Sequence, residues 1–168
     1  PIMNEAKITE LKKLATEVRL GILEGVHAAA SGHPGGSLSI ADILTYLYFE
    51  EMNVDPKNPK WEDRDRFVLS KGHCAPALYT VLALKGFFPR EEIANLRQID
   101  SFLQGHPDMK GTPGVDMSTG SLGMGISTAC GMALAAAPTP SSATARARRA
   151  RSGRPLCSPP TTSWTTSA

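Results

Sequence analysis

Acidic residues are missing from the last 32 of the 168 residues, although that stretch holds five arginines. The first 136 residues carry all 16 Asp and Glu against 13 Lys and Arg, so the formal net charge of +2 conceals two parts of opposite charge. The first part lacks a basic face interleaved with aromatic residues, which argues against a nucleic-acid-binding domain.

Cysteine is also scarce. Cys74, Cys130 and Cys157 lie far apart without a CxxC pair, so neither a disulfide framework nor a zinc site is indicated. The sequence has no apolar run long enough to span a bilayer and no signal-peptide pattern. We therefore expect a cytoplasmic protein, and the length suggests one domain.

Three of the four histidines directly follow a glycine: His33 in SGHPGG, His73 in KGHCAP and His106 in QGHPD. Proline after His33 and His106 favours an extended backbone, and the preceding glycine permits close approach of a ligand or a second chain segment. An imidazole can donate or accept a hydrogen bond near neutral pH. One such motif is more often a turn with a polar side chain, whereas three together favour a shared site. His27, among alanines, is predicted to be an ordinary helix residue.

Hydrophobic periodicity, glycines and prolines predict alternating helices, loops and a short strand. The expected helices are 8–30, 39–52 with Ser39 as N-cap, 75–86, 89–99 and 126–137, and the expected strand is RFVLS at 66–70. SGHPGGS is predicted to be a loop. Such alternation is typical of an α/β layer architecture.

A glycine-rich loop, TGSLGMG at 119–125, comes directly before the last predicted helix. Glycines allow a backbone to lie against a ligand, and a helix N-terminus presents free N–H groups to anions. The loop matches neither a P-loop nor a full dinucleotide fingerprint, so a structural loop and a ligand cradle both stay open. Cys74 beside His73 also leaves a Cys–His pair open.

Taken in order, SGHPGGSLSIADILTYLYF, DRFVLSKGHCAPALY, GHPD and TPGVDMSTGSLGMGIS resemble the amino-terminal part of transketolase. The resemblance covers about residues 8–136 and is strongest to the separate N-terminal subunit of the split, two-chain form. Deoxyxylulose-phosphate synthase is a weaker match, because GHPGGSLS and QGHPD suit transketolase better.

The resemblance implies a three-layer α/β fold that binds thiamine diphosphate, with a parallel sheet flanked by helices. Residues 1–136 would be a partial, and therefore incomplete, module for the diphosphate end of the cofactor. The implied activity is transfer of a two-carbon ketol unit from a ketose phosphate to an aldose phosphate, in the pentose phosphate pathway. The implied partner is a C-terminal transketolase subunit carrying the catalytic glutamate, in an oligomer.

Site residues follow from the resemblance position by position. His33 and His106 match the substrate-facing, catalytic histidines, and His73 matches the histidine at the cofactor diphosphate. The loop that passes the cofactor corresponds to Gly120, Ser121 and Leu122, where many relatives have Gly-Pro-Leu. Magnesium is held in the family by a Gly-Asp-Gly motif that this sequence lacks, so the chain as printed has no predicted metal ligands.

The composition of residues 137–168 predicts a disordered basic tail, since it offers too few apolar residues for a core. Residues 142–146, Ser-Ala-Thr-Ala-Arg, can be encoded TCN-GCN-ACN-GCN-AGR, and starting each triplet one base earlier permits Gly-Asp-Gly-Glu. The same shift through the tail permits YTVLGDGESEEGQVWEAAMFAAHYKLDNL, which is what the resemblance predicts next. We interpret the tail as an off-frame translation beginning near Ala137. The alternative function is a non-catalytic, truncated remnant without the metal motif.

Overall fold

The computed structural model describes residues 4–136. Within that range the α-helices are α1 Glu5–Ala28, α2 Pro34–Leu38, α3 Ala41–Tyr46, α4 Ala75–Lys85 and α5 Met124–Ala136. A π-helical turn, Leu47–Glu51, continues α3, and 3₁₀ helices form at Gly72–Cys74 and Arg90–Asn95. The tail that composition predicts to be disordered, 137–168, lies outside the described residues.

Helix α1 confirms the first predicted helix, with slightly different ends. It begins at Glu5 because the Asn4 side chain caps it, accepting a hydrogen bond from the Lys7 main-chain N–H at 2.8 Å. Its buried face includes Leu11, Val18 and Ile22, at the spacing that one side of a helix requires.

Two predictions around the first Gly-His motif were wrong. Pro34 to Leu38, expected as loop, form the single-turn helix α2, because proline suits the first helical position. Ser39 is therefore the C-cap of α2 and not the N-cap of the following helix, whose N-cap is Ile40. The predicted helix 39–52 is divided into α3 and the π-helical turn.

Helix α4 is the centre of the core. Nine consecutive residues from Ala75 to Ala83 are buried, so the helix is covered on all sides by α1, α2, α3 and the 3₁₀ helix Arg90–Asn95. The expected stop is confirmed, since Gly86 adopts a left-handed φ of 98° as the C-cap. Gly21 lets α1 approach α4, because a Cβ there would lie 2.4 Å from Thr80 Cγ2.

Residues 4–136 contain no β-strand, so the expected parallel sheet is not seen in the described part. The predicted strand 66–70 runs without a partner strand, and its Phe67 N–H donates instead to Asp116 Oδ2 at 2.8 Å. A short apolar run becomes a strand only where a neighbouring backbone supplies the ladder. The helix expected at 89–99 is only the 3₁₀ helix, which ends at Asn95.

Helix α5 confirms the helix expected after the glycine-rich loop. Its composition is apolar, yet Gly125 is its only buried residue in the described part, and Met124, Ile126 and Leu134 are exposed. Gly125 packs on Ser70, whose Cα lies 2.6 Å from the position of a Cβ. None of the helices within residues 4–136 has the length and apolarity needed to cross a bilayer.

Candidate functional site

His33 and His73 lie together. His33 occupies the N-cap position of α2 with φ −122° and ψ 77°, a backbone that Pro34 restricts. Its ring meets the ring of His73 edge to face, with centroids 5.0 Å apart and planes at 70°. Two Gly-His motifs 40 residues apart in sequence therefore present adjacent imidazoles.

Lys71 holds these two segments against each other. Its Nζ donates to the Gly36 carbonyl at 2.6 Å and to Ser39 Oγ at 2.9 Å, both in or next to α2. The 3₁₀ helix then turns His73 back towards α2. A lysine directly before a Gly-His motif is the sequence signal that could have indicated this role.

Gly72 joins the His73 segment to the glycine-rich loop. A Cβ on residue 72 would lie 2.7 Å from Thr119 Oγ1 and 2.8 Å from the Thr119 carbonyl carbon and oxygen. Only glycine therefore allows this approach of two backbones. The Gly-His motif at this position is a packing requirement as well as a means of presenting an imidazole.

His106 lies on the other side of the glycine-rich loop. A Cβ on Gly120 would be 3.6 Å from His106 Cδ2, an ordinary contact distance, so the ring and the loop are neighbours. The Tyr79 hydroxyl, on the core helix α4, lies 2.8 Å from the His106 carbonyl and 2.9 Å from the Gln104 carbonyl. Burial raises the pKa of this hydroxyl, so it stays protonated and can donate. No pattern in the sequence indicated this role of Tyr79.

Residues 120–122 face outward at the start of α5. Leu122 is 71% exposed, and Gly123 has a positive φ of 89° that turns the chain into the helix. The structure thus brings His33 to His73, Gly72 to Thr119, and Gly120 to His106, in one continuous series of contacts. The catalytic roles of His33 and His106 stay predictions, as do the cofactor-binding roles of His73, Gly120, Ser121 and Leu122.

Three side-chain hydroxyls are buried without a hydrogen-bond partner in the described part of the chain, those of Ser37 in α2, Ser70 and Thr119. Ser70 Oγ lies beneath the first turn of α5, and Thr119 Oγ1 lies beside Gly72. Buried polar atoms are normally paired, so unpaired ones at a glycine-lined surface fit a polar ligand such as a phosphate ester. The glycines and hydroxyls therefore suit the diphosphate end of thiamine diphosphate.

A metal does not fit the described residues. Within 4–136, no three side chains of His, Cys, Asp or Glu come close enough to hold an ion. Cys74 offers no reactive thiolate either, because burial raises the pKa of its thiol and the side chain is fully enclosed. The Cys74 side chain left open by the sequence as part of a Cys–His pair packs instead in the hydrophobic core.

Asp108 organises the loop that follows His106. Its carboxylate accepts hydrogen bonds from the Lys110 main-chain N–H and from Ser118 Oγ, each at 3.1 Å. The Lys110 N–H, and to a lesser extent the Ser118 hydroxyl, lower the pKa of Asp108. Farther along, Asp116 pairs with Arg64 and closes the loop onto residue 67.

Comparison with known proteins gives consistent matches. Residues 10–151 match the family described as "Transketolase, thiamine diphosphate binding domain". The chain is 52% identical over 130 residues to the 6-deoxy-6-sulfo-D-fructose transketolase subunit SqwG of Clostridium sp. (strain MSTE9), which covers 77% of this chain and 47% of that protein. It is 45% identical over 126 residues to an apulose-4-phosphate transketolase subunit of Phocaeicola vulgatus, covering 75% of this chain and 44% of the relative.

Solved structures agree. The Pichia stipitis transketolase in complex with sedoheptulose 7-phosphate superposes with a TM-score of 0.72 at 41% identity, over 74% of this chain and 18% of the other. The chain thus spans about half the length of the subunit-type relatives and about a fifth of the single-chain enzymes. Since the family match covers most of the sequence, the chain belongs to the transketolase thiamine diphosphate binding domain family.

Proposed function

We propose that this chain is the N-terminal, cofactor-binding part of a two-chain transketolase. The reaction is thiamine-diphosphate-dependent transfer of a two-carbon ketol unit from a ketose phosphate to an aldose phosphate. The observation that carries the proposal is the series of contacts from His33 through His73 and the glycine-rich loop to His106. In this series the rings of His33 and His73 are 5.0 Å apart, and the His106 ring lies next to Gly120.

Each residue has a role in this proposal. His73 and the main chain of Gly120, Ser121 and Leu122 hold thiamine diphosphate, whose thiazolium ring supplies the carbanion that the reaction needs. His33 and His106 are both exposed, and in this proposal they donate or accept hydrogen bonds at the hydroxyls of the sugar. The edge-to-face pair keeps the His33 ring oriented without a carboxylate.

The implied partner is a C-terminal transketolase subunit that completes the active site. Names of relatives as "subunit" support this division, and they support sugar-type substrates. Those two relatives are named for different sugars, a sulfo-sugar and a sugar phosphate, so the class proposed here is sugar phosphates without a preferred member. The cytoplasmic setting and the oligomer stay predictions.

The magnesium part of the proposal depends on residues 137–168. The printed sequence contains no Gly-Asp-Gly, whereas the frame one base earlier permits it over residues 143–145. We therefore propose that the coding DNA, read one base earlier from near codon 137, continues through the metal motif. The competing proposal is a non-catalytic, truncated remnant, and the missing metal motif favours it for the chain as printed.

The decisive experiment compares the 168-residue chain with the frame-restored chain. Isothermal titration with thiamine diphosphate and magnesium, followed by a ketol-transfer assay with the C-terminal subunit, measures binding and turnover separately. We expect magnesium-dependent binding and turnover only in the restored chain. Turnover by the 168-residue form would overturn the frame proposal, and no binding by either form would overturn the transketolase proposal. Resequencing the gene tests the frame directly.

A further inference from the structure

Arg97 has an unusual backbone for a residue with a large side chain. Its φ is 62°, in the left-handed region that such residues rarely adopt, and its N–H donates to the Leu103 carbonyl at 2.9 Å. The tight loop from 97 to 103 returns the chain towards His106. Strained backbone of this kind persists where surrounding contacts stabilise it, and here those contacts include the ones made by the Arg97 side chain.

The Arg97 side chain bridges the two histidine loops. Its Nη1 donates to Ser31 Oγ at 2.7 Å, two residues before His33. Its Nε, Cζ and Nη2 atoms lie 2.7 to 2.9 Å from the position that a Cβ on Gly105 would occupy, directly before His106. The planar guanidinium thus lies on a bare stretch of backbone, and Gly105 is required for this contact.

The His106 segment is consequently held from two directions. Tyr79 binds the carbonyls of Gln104 and His106 from the core helix α4, and Arg97 packs on Gly105. Of these two side chains, Arg97 is the one that extends from there to the His33 loop. A lysine could not make both contacts, because its ammonium group has no planar face to pack on Gly105 while it donates to Ser31 Oγ.

We propose that Arg97 is a positioning residue that sets the distance between the loops of His33 and His106. The inference rests on the proposed function in one respect: if that function is right, the distance between the two loops sets the width of the sugar-binding site. Its physical content is a direct link between two loops that are otherwise joined through the His73 segment and the glycine-rich loop, and that are fixed by different side chains, Lys71 and Tyr79.

The test uses the 168-residue chain without cofactor and records histidine side-chain ¹H–¹³C spectra. In R97Q and R97K we expect the signals of His33 and His106 to shift and broaden, while the signal of His27 in α1 stays unchanged. The control is R90Q, because Arg90 Nη2 binds Glu24 Oε2 at 2.6 Å and spans the same 66 residues without reaching a histidine loop. R90Q should leave both signals in place.

A second variant keeps the test decisive if Arg97 substitutions unfold the chain. S31A removes only the acceptor on an exposed loop, so it should shift the His33 signal and cause no further shift when added to R97Q. Unchanged His33 and His106 signals in folded R97Q or in S31A would overturn the proposal. Because no cofactor is present, this outcome is independent of whether thiamine diphosphate binds.

Discussion

Gly36 in α2 lies directly against the sulfur of Cys74. A Cβ on residue 36 would lie 2.6 Å from Cys74 Sγ and 3.7 Å from His73 Nε2, whereas a Cβ on the neighbouring Gly35 would meet nothing within 4 Å. The two glycines that follow Pro34 therefore differ in kind. Gly36 permits the contact that brings His33 to His73, whereas Gly35 faces open space.

This difference predicts opposite effects of the same substitution. Gly36→Ala should lower the free energy of unfolding by about 1–3 kcal/mol, because it overpacks an enclosed site. Gly35→Ala should be neutral or stabilising by up to about 1 kcal/mol, since alanine favours a helix. Urea denaturation measures both. Adding Cys74→Ala to Gly36→Ala should restore part of the loss, and equal effects of the two glycine variants would contradict the packing account.

A second glycine contact, at Gly72, has both the hydroxyl and the main-chain carbonyl of Thr119 on its far side. Gly72→Ala should be more damaging than Gly36→Ala, because the Thr119 carbonyl cannot move away as a side-chain end can. Gly131→Ala in α5, where a Cβ meets nothing within 4 Å, is the matched control. Thermal unfolding should show a clear decrease for Gly72→Ala alone. A normal melting temperature in that variant would show that the two loops are not in contact.

Arg64 and Asp116 form a pair with little exposure, 16% for the arginine side chain and 6% for the carboxylate. Arg64→Ala leaves the buried Asp116 carboxylate with the Phe67 N–H and the more distant charge of Arg66, so we expect a loss of about 3–5 kcal/mol in the free energy of unfolding. Arg19→Ala is the control, because Arg19 pairs with Asp42 at the exposed surface. Similar losses in both variants would indicate that the pair contributes nothing specific.

Asp108 predicts a pH dependence. Its pKa is lowered in the folded chain, so its contribution to stability is present above the pKa of the unfolded chain. That contribution disappears as the pH falls through the lowered pKa. In Asp108→Asn, the curve of unfolding free energy against pH should be flatter on its acid side. The curve for Ser118→Ala should lie between those of the wild type and Asp108→Asn, because Asp108 then keeps the hydrogen bond from the Lys110 N–H. If Asp108→Asn shows the same loss of stability at acid pH as the wild type, the Asp108 carboxylate is not the cause of that loss.

Local chemistry was sufficient for much of the helical structure. Asn4 caps α1, apolar residues recur along one face of it, and Gly86 ends α4 with a left-handed backbone. These signals act within a few residues, so they can be recognised without knowing the remainder of the chain. The threefold recurrence of the Gly-His motif likewise favoured a shared site, which stays a prediction.

Tertiary structure decided those features that depend on residues far apart in the sequence. The run at 66–70 has the residues of a strand, but its Phe67 N–H pairs with Asp116, 49 positions later. The positions of the histidines depend on Lys71, Tyr79 and Arg97, whose contacts join segments 25 to 66 residues apart. Sequence by itself indicated which residues carry imidazoles and where α1, α4 and α5 form, because capping and periodicity are local. Only the folded chain determined how these imidazoles are arranged, because long-range packing selects among loops that local chemistry permits equally.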